Sequence, residues 1–461
     1  MVSWTIFRPS PDESAGAGRR RPLLKIPEGK KKRIQIMGME YQIGERAILS
    51  GWLHRISIQK NISFATLRDG HSTAQAVCVD PRVRRRLGDI PQGSAVELLG
   101  TVVENGQSTK GCEFLVEAIR YEGSGTCDAF IDISKKELEI HQNHALDHAP
   151  VVLRRPDIRF RHRLAAASVQ LFRSFLDAEG FTEIHTPRLN AGTMEGGSDL
   201  FALDYFGRPA FLAQSPQLHK QIMVGIFEKV YETGPVFRAE RHATVRHLNE
   251  YTSLDAELGF IRDHRDVMEL VNRLIAFMAK RLYELVLDWE ERYPLLWPQA
   301  PERFPRVPFE EALVIARKAG AKTGETDLSP AAELAIGEWA LGEHHSDFVF
   351  VEGYPMEKRP FYTHPDPDRP ERSRSFDLLF RGQELITGGQ RLHTKPAYLE
   401  AMKSRDIDAE GFEGYLEAFD AGMPPHGGFA IGLERWIQSL IQLPNIRMAS
   451  LFPRDGKRLT P

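Results

Sequence analysis

Between residues 263 and 286 apolar side chains return at intervals of three and four. Val267, Leu270, Val271, Leu274, Met278, Leu282 and Leu285 fall on one helical face, with Asp263 or Asp266 placed to cap the start. That face is core packing and carries no chemistry. A second amphipathic stretch, 163–179, stops at Gly180. Elsewhere the pattern shortens to β-like runs. Those at 47–56, 63–68, 73–79, 95–103 and 113–121 are separated by turn residues, with a basic helical piece at 81–87 after the third. Later runs at 211–214, 230–238, 250–260, 348–351, 375–380 and 384–387 lie among helices without regular βαβ spacing or internal repeats.

Five strands with a helix between the third and fourth is the order of an OB barrel, a common RNA-binding scaffold, although any other small barrel fits the same pattern. The irregular later runs favour a mixed, mainly antiparallel sheet flanked by helices over a doubly wound parallel one. The expected class is therefore α+β. Its expected parts are a basic flexible extension (1–40), an OB-fold β-barrel (41–130), a hinge (131–150) rich in His, Asn and Asp, and a larger domain (151–461).

A length of 461 residues accommodates two or three domains. Hydrophobic content of 42% and charge of 27% are those of a soluble globular protein, and no apolar run reaches membrane-spanning length. Three cysteines (Cys78, Cys112, Cys127) without CxxC spacing, and a start that lacks a secretory signal, point to a cytoplasmic protein whose thiols are small buried hydrophobes. Net charge is only −3, but residues 1–40 hold nine basic residues against four acidic ones, a local +5. This segment reads as a solvated tail or as an electrostatic arm for RNA phosphates.

The informative chemistry lies in two segments. Phe237-Arg238-Ala239-Glu240, followed by Arg246-His247-Leu248-Asn249-Glu250, alternates arginine and glutamate through a strand-like run, a pattern suited to holding polyphosphate. In Gly427-Gly428-Phe429-Ala430-Ile431-Gly432-Leu433-Glu434-Arg435, small residues are expected to let the backbone approach a flat ligand while an arginine opens a helix. No GxxxxGK[ST] occurs, nor a convincing GxGxxG, so neither a P-loop nor a Rossmann site is supported. ATP would be held by arginine clamps. Of the strand side chains, Phe64 is equally an ordinary barrel-core residue or a stacking platform, and Gln75 has the chemistry to read a base edge.

With Phe181-Thr182-Glu183-Ile184-His185-Thr186-Pro187, these segments resemble motifs 1, 2 and 3 of class II aminoacyl-tRNA synthetases, in order. Phe211-Leu212-Ala213-Gln214-Ser215-Pro216-Gln217-Leu218-His219-Lys220-Gln221, Arg359-Pro360-Phe361-Tyr362, Gly388-Gly389-Gln390-Arg391 and Leu451-Phe452-Pro453-Arg454-Asp455 sharpen the resemblance to aspartyl-tRNA synthetases of the archaeal and eukaryotic type. It covers nearly everything after residue 41. It implies a class II catalytic domain that aminoacylates tRNA with L-aspartate through an aspartyl adenylate, using ATP and Mg2+, in a homodimer formed through motif 1.

Residue by residue, the resemblance assigns catalysis to Arg238, Arg435 and Glu384. Attack of a carboxylate on the α-phosphorus gathers negative charge, which fixed guanidinium groups and a divalent ion stabilise. ATP would contact Arg238, Glu240, Arg246, His247, Leu248, Tyr251, Glu384, Gly432, Leu433, Glu434 and Arg435. Aspartate would meet Lys220 and Arg391 at its second carboxylate, a cationic pocket, with Glu195, Ser215, Gln217, Asp255, Arg238 and Thr387 around the remainder. Asp377, Glu384 and Thr387 would hold the metal, unless Asp377 and Glu384 are instead a structural pair satisfied by nearby arginines. Phe64, Gln75 and Glu113 match the anticodon readers. His54 stands where members specific for the aspartate tRNA usually carry tryptophan, as in non-discriminating members. Tyr251 replaces the commoner phenylalanine, Thr387 a serine and Ala430 a glycine, and Trp436 is an unusual choice after Arg435. An asparaginyl or amide-forming relative, and a catalytically silent RNA-binding paralogue, stay open as alternatives.

Overall fold

The computed structural model describes residues 33–108, 110–123, 131–135, 138–192, 200–240, 244–289 and 295–461. The chain divides into two compact units, Met1–Ser134 and Lys135–Pro461. Cys127 and Glu195 lie outside the described residues.

In the first unit, β1 (Arg33–Ile34), β2 (Arg46–Ile58), β3 (Ser63–Arg68), β4 (Thr73–Cys78), β5 (Ala95–Glu104) and β6 (Cys112–Glu122) pair in the order β1-β2-β3-β4-β6-β5, and β2 also pairs with β5 to close the barrel. Between β4 and β5 runs α1 (Pro81–Gly88), capped by the Asp80 carboxylate on Arg82 N and Val83 N. Period-two alternation fills the interior with Ala65, Leu67, Ala74, Ala76 and Phe114, while Cys78 and Cys112 are buried and their thiols pushed up by desolvation. The barrel begins earlier than expected. Ile34, Ile36 and Met39, placed by the sequence reading in the 1–40 extension, are core residues, because the polar and basic side chains around them hid three inward positions.

The second unit opens with α2 (Gln142–Asp147) and α3 (Ala149–Val152), which occupy the expected hinge, and α4 (Pro156–Ala178). α4 starts seven residues before the sequence pattern showed it. Its first turns carry Arg159, Arg161, His162 and Arg163 around the buried Phe160 and Leu164, and so lack an apolar stripe. Three short strands, β8 (Leu189–Asn190), β9 (Ala202–Tyr205) and β10 (Arg208–Leu212), form a separate small sheet. The main sheet comprises β7 (Thr182–Glu183), β11 (Lys229–Phe237), β12 (Glu250–Gly259), β13 (Arg306–Pro308), β14 (Phe348–Glu352), β15 (Ser375–Phe380), β16 (Glu384–Gln390) and β17 (His426–Gly432). Their order is β13-β14-β15-β16-β17-β12-β11-β7, antiparallel except at its two ends.

Helix α5 (Gln217–Phe227) precedes β11, and α6 (His264–Leu287), capped by Asp263, covers one face of the sheet with its expected apolar stripe. α7 (Phe309–Lys318) and α8 (Pro330–His344) pack in a cluster of their own over β13, β14 and Leu379. α9 (Lys395–Lys403) and α10 (Glu413–Asp420) close an aromatic cluster around Phe361, Tyr398 and Phe419. α11 (Leu433–Leu440) follows β17 directly. Trp436 has a packing reason: it is fully buried, its indole N–H donates to Ser168 Oγ at 3.0 Å, and it ties α11 to α4.

Candidate active site

β12 faces two ways. Leu254 and Ala256 enter the core beneath α6, while Tyr251, Ser253, Asp255 and Glu257, each two residues on, point to the opposite side. Two strands away, beyond β17, β16 carries an extra residue. The pairing steps from Leu378 opposite Ile386 to Leu379 opposite Glu384, a bulge at Leu385 that lets Glu384 and Thr387, three apart, open on one cavity. This cavity of about 390 Å3 is also lined by Arg238, Glu240, Arg246, His247, Leu248, Tyr251, Ala430, Gly432, Glu434 and Arg435. Segments nearly two hundred residues apart thus meet at one place.

The arginines are held at stated atoms. Arg435 Nη1 donates to the Glu384 carbonyl at 2.9 Å and to Glu384 Oε1 at 3.0 Å. The Arg238 guanidinium lies 5.9 Å from the Tyr251 ring centre and 3.9 Å from Glu240 Oε1. Asn249 secures the loop between β11 and β12, its side-chain amide donating to the Arg238 and Glu240 carbonyls at 2.6 and 3.0 Å. His247 shares a hydrogen bond with Thr244 and approaches Glu240 at 3.7 Å.

Among the described residues the cavity holds three arginines and four glutamates. Such a balance favours either protons or a cation, and burial pushes the Glu333 and Glu434 carboxyls up to about 7. Burial and the neighbouring Asp377 also raise Glu384, against Arg435 and Arg359.

Next to the cavity, through Ser253, lies a second, buried cluster. Lys220, 1% exposed on α5, donates to Asp255 Oδ1 (3.1 Å) and the Phe429 carbonyl (3.1 Å) and pairs with Glu257 Oε2 (3.3 Å). These partners match the three N–H bonds of an ammonium group. Arg391 Nε donates to Glu257 Oε1 at 2.9 Å and its Nη2 to the Gly428 carbonyl at 3.1 Å. Burial would raise the Glu257 carboxyl, but Arg391 and then Lys220 hold it below the ordinary range, while burial drives His426 down to about 4 and keeps it neutral. Ser253 Oγ, on the cavity wall, hydrogen-bonds Asp255 and so joins the two sites. Gln217, one turn before Lys220, is buried with Nε2 unpartnered among the described residues.

A family model for the tRNA synthetases class II (D, K and N) matches residues 141–456, and one for the OB-fold nucleic acid binding domain matches residues 47–121. The chain is a class II tRNA synthetase of this family. Similar proteins include the aspartate–tRNA(Asp/Asn) ligase of Thermus thermophilus, 43% identical over 93% of this chain and 100% of that one, and the aspartate–tRNA(Asp) ligase of Thermococcus kodakarensis, 37% identical over 91% and 97%. Among solved structures, asparaginyl-tRNA synthetase from Pyrococcus horikoshii complexed with asparaginyl-adenylate superposes with a TM-score of 0.86 at 28% identity, covering 93% of this chain and 100% of that one.

Within this class II site several sequence expectations need correction. Gly427 and Gly428 do not meet a flat ligand. A Cβ on Gly428 would fall 2.1 Å from the Glu257 carboxylate, so this glycine makes room for the buried ion cluster. Leu433 turns into the core. Ser215 lies beside a small separate cavity and accepts from Gln217 N at 3.1 Å, fixing the start of α5. Asp377 does not line the cavity: both its oxygens take Arg359, at 3.2 and 2.9 Å, with that guanidinium 3.9 Å from the Tyr354 ring centre. The cluster expected to receive aspartate is not net cationic either, because Asp255 and Glu257 balance Lys220 and Arg391.

Sequence reasoning missed Glu257 and Glu333. Period-two polarity through Tyr251, Ser253, Asp255 and Glu257 was the available signal for the first. The second sits on a helix the sequence pattern did not resolve. On the barrel, Thr66 pairs with Gln75 and Phe64 with Val77. Phe64 is half-buried and absent from the core, while Gln75 Nε2 reaches Glu113 Oε2 at 3.5 Å. His54 sits at a β2 bulge, its carbonyl accepting from Gln92 at 2.6 Å.

Proposed function

We infer that this chain is an aspartate–tRNA ligase that activates L-aspartate with ATP as aspartyl adenylate and transfers it to tRNA. The observation that carries the reading is Lys220, buried with Arg391 beside a cavity walled by Arg238, Arg435 and Glu384. Specificity follows from donors rather than from net charge. Lys220 and Arg391 can only donate, so an aspartate carboxylate offers them acceptors on both oxygens, whereas an asparagine amide turns an N–H2 toward donors. The names of the relatives favour the same substrate.

Arg238 would hold the α-phosphate and the attacking carboxylate, Arg435 the outer phosphates, and Tyr251 the adenine face. The substrate carboxylate is the nucleophile, so no side-chain nucleophile is required, and the protein's contribution is positioning and fixed charge. Glu384 and the Thr387 hydroxyl fit a magnesium ion, which commonly takes one or two carboxylates and completes its shell with phosphates and water. Bound there, magnesium would neutralise phosphate charge. Asp377, committed to Arg359, supports this place without a free oxygen.

Phe64, Gln75 and Glu113 share the outer face of the barrel and offer a stacking ring, an amide and a carboxylate to anticodon bases. Histidine at position 54, together with relatives named for both tRNAs, supports charging of asparagine tRNA as well. The motif 1 strand β7 ends the main sheet with an open edge, which suits pairing of two copies around α4 and β7. No helix among the described residues is long and apolar enough to cross a membrane, and the cytoplasm supplies all three substrates.

Pyrophosphate exchange into ATP, measured separately with aspartate and asparagine, tests the amino acid. Exchange with aspartate alone is expected, and exchange with asparagine alone overturns the assignment. Charging of purified aspartate and asparagine tRNAs tests the breadth. Aspartylation of both is expected, and aspartylation of the first alone removes the inference from His54.

A further inference from the structure

Helix α8 belongs to the α7–α8 cluster at the far end of the sheet, yet its first turn, with Pro330 and Glu333, and Leu328 just before it enter the nucleotide cavity. The approach is fixed by backbone contact. A Cβ on Gly337 would lie 2.5 Å from Gly382 N, and one on Gly382, which also holds φ at +69°, would lie 2.6 Å from Leu334 Cα. Two glycines therefore let α8 press onto the turn that leads into β16. At the end of this contact Glu333 Oε2 accepts from Arg246 Nη1 at 3.1 Å and from the backbone N–H of Glu384 at 3.4 Å. The remaining guanidinium nitrogens of Arg246 have no partner among the described residues.

We propose that Glu333, held in the first turn of α8, is a positioning residue that orients the Arg246 guanidinium toward the outer phosphates of ATP. A long arginine on a loop loses rotamer freedom when it grips a phosphate, and an ion pair at one nitrogen removes that loss beforehand while leaving the others to donate. A glutamate that aligns the phosphate-binding lysine of protein kinases serves the same physical purpose. Neither Arg246 nor Glu333 needs to touch the aspartate cluster, so the effect should be confined to ATP.

The inference rests on the assignment of the cavity to ATP, and the two fail separately. A wild-type enzyme without aspartate-dependent pyrophosphate exchange refutes the assignment; the variants refute or support the inference in an active enzyme. Glu333→Ala should raise the KM for ATP about tenfold, the size of one charge-assisted hydrogen bond, with kcat and the KM for aspartate within about twofold of wild type. Glu333→Gln, which keeps an acceptor oxygen, should recover part of the loss. In an Arg246→Ala background, Glu333→Ala should add nothing further, because its action runs through that arginine. An unchanged KM for ATP in Glu333→Ala, or effects of the two substitutions that multiply, overturns the proposal. Isosteric Glu333→Gln, with its unfolding midpoint measured alongside, serves if the alanine variant does not fold.

Discussion

Replacement of Lys220 by methionine separates what this lysine does for the fold from what it does for the substrate. The side chain is 1% exposed and touches Asp255 at 3.1 Å, Glu257 at 3.3 Å and the Phe429 carbonyl at 3.1 Å. In the wild type, two cations and two carboxylates balance; in Lys220→Met, Arg391 faces Asp255 and Glu257 alone. Removal of one partner from a buried ion cluster costs roughly 3–5 kcal/mol, because a charge is left without compensation. Adding Asp255→Asn restores the balance as Arg391 with Glu257, and the double variant should unfold within about 1–2 kcal/mol of wild type. Activity should behave differently. Both variants lack the ammonium proposed to receive the substrate's second carboxylate, so aspartate-dependent pyrophosphate exchange should drop by roughly a hundredfold or more in each. Urea unfolding and exchange assays on the two proteins decide the matter. If the double variant is as unstable as the single one, the charge argument is wrong; if it exchanges with aspartate within about threefold of wild type, Lys220 is not the specificity residue.

Glu434 is 9% exposed and its carboxyl is pushed up to about 7 by burial, which in a folded acid means stability is full below the unfolded pKa and is lost as pH rises through 7. Glu434→Gln should therefore gain on wild type by as much as roughly 3 kcal/mol between pH 4.5 and pH 8.5, and equal unfolding curves at both pH values would contradict the assignment. Trp436→Phe removes the 3.0 Å bond to Ser168 and part of a filled volume; a loss of roughly 1–3 kcal/mol in denaturant midpoint is expected, with the KM for ATP unchanged. Phe64→Ala should raise the KM for tRNA about tenfold through lost stacking and leave pyrophosphate exchange intact, so that equal charging by both proteins would return Phe64 to a purely structural place.

The periodicities alone determined the elements near the site. Short β-rich runs between turn residues marked the barrel strands and β11, β12, β15 and β16, and intervals of three and four marked α6, because each is a local consequence of residue type or of which face is buried. The motif segments also located Arg238, Glu384 and Arg435 in one chemistry, since their residue types are dictated by phosphate. Only the tertiary structure decided how charges pair across the chain. That Gly428 is small for Glu257, that Asp377 belongs to Arg359, that Lys220 is neutralised before substrate arrives, and that α8 brings Glu333 to Arg246 are all contacts between residues 18 to 209 positions apart. Such pairings depend on strand order, a bulge at Leu385 and the mutual fit of Gly337 and Gly382, none of which leaves a periodic trace in one dimension.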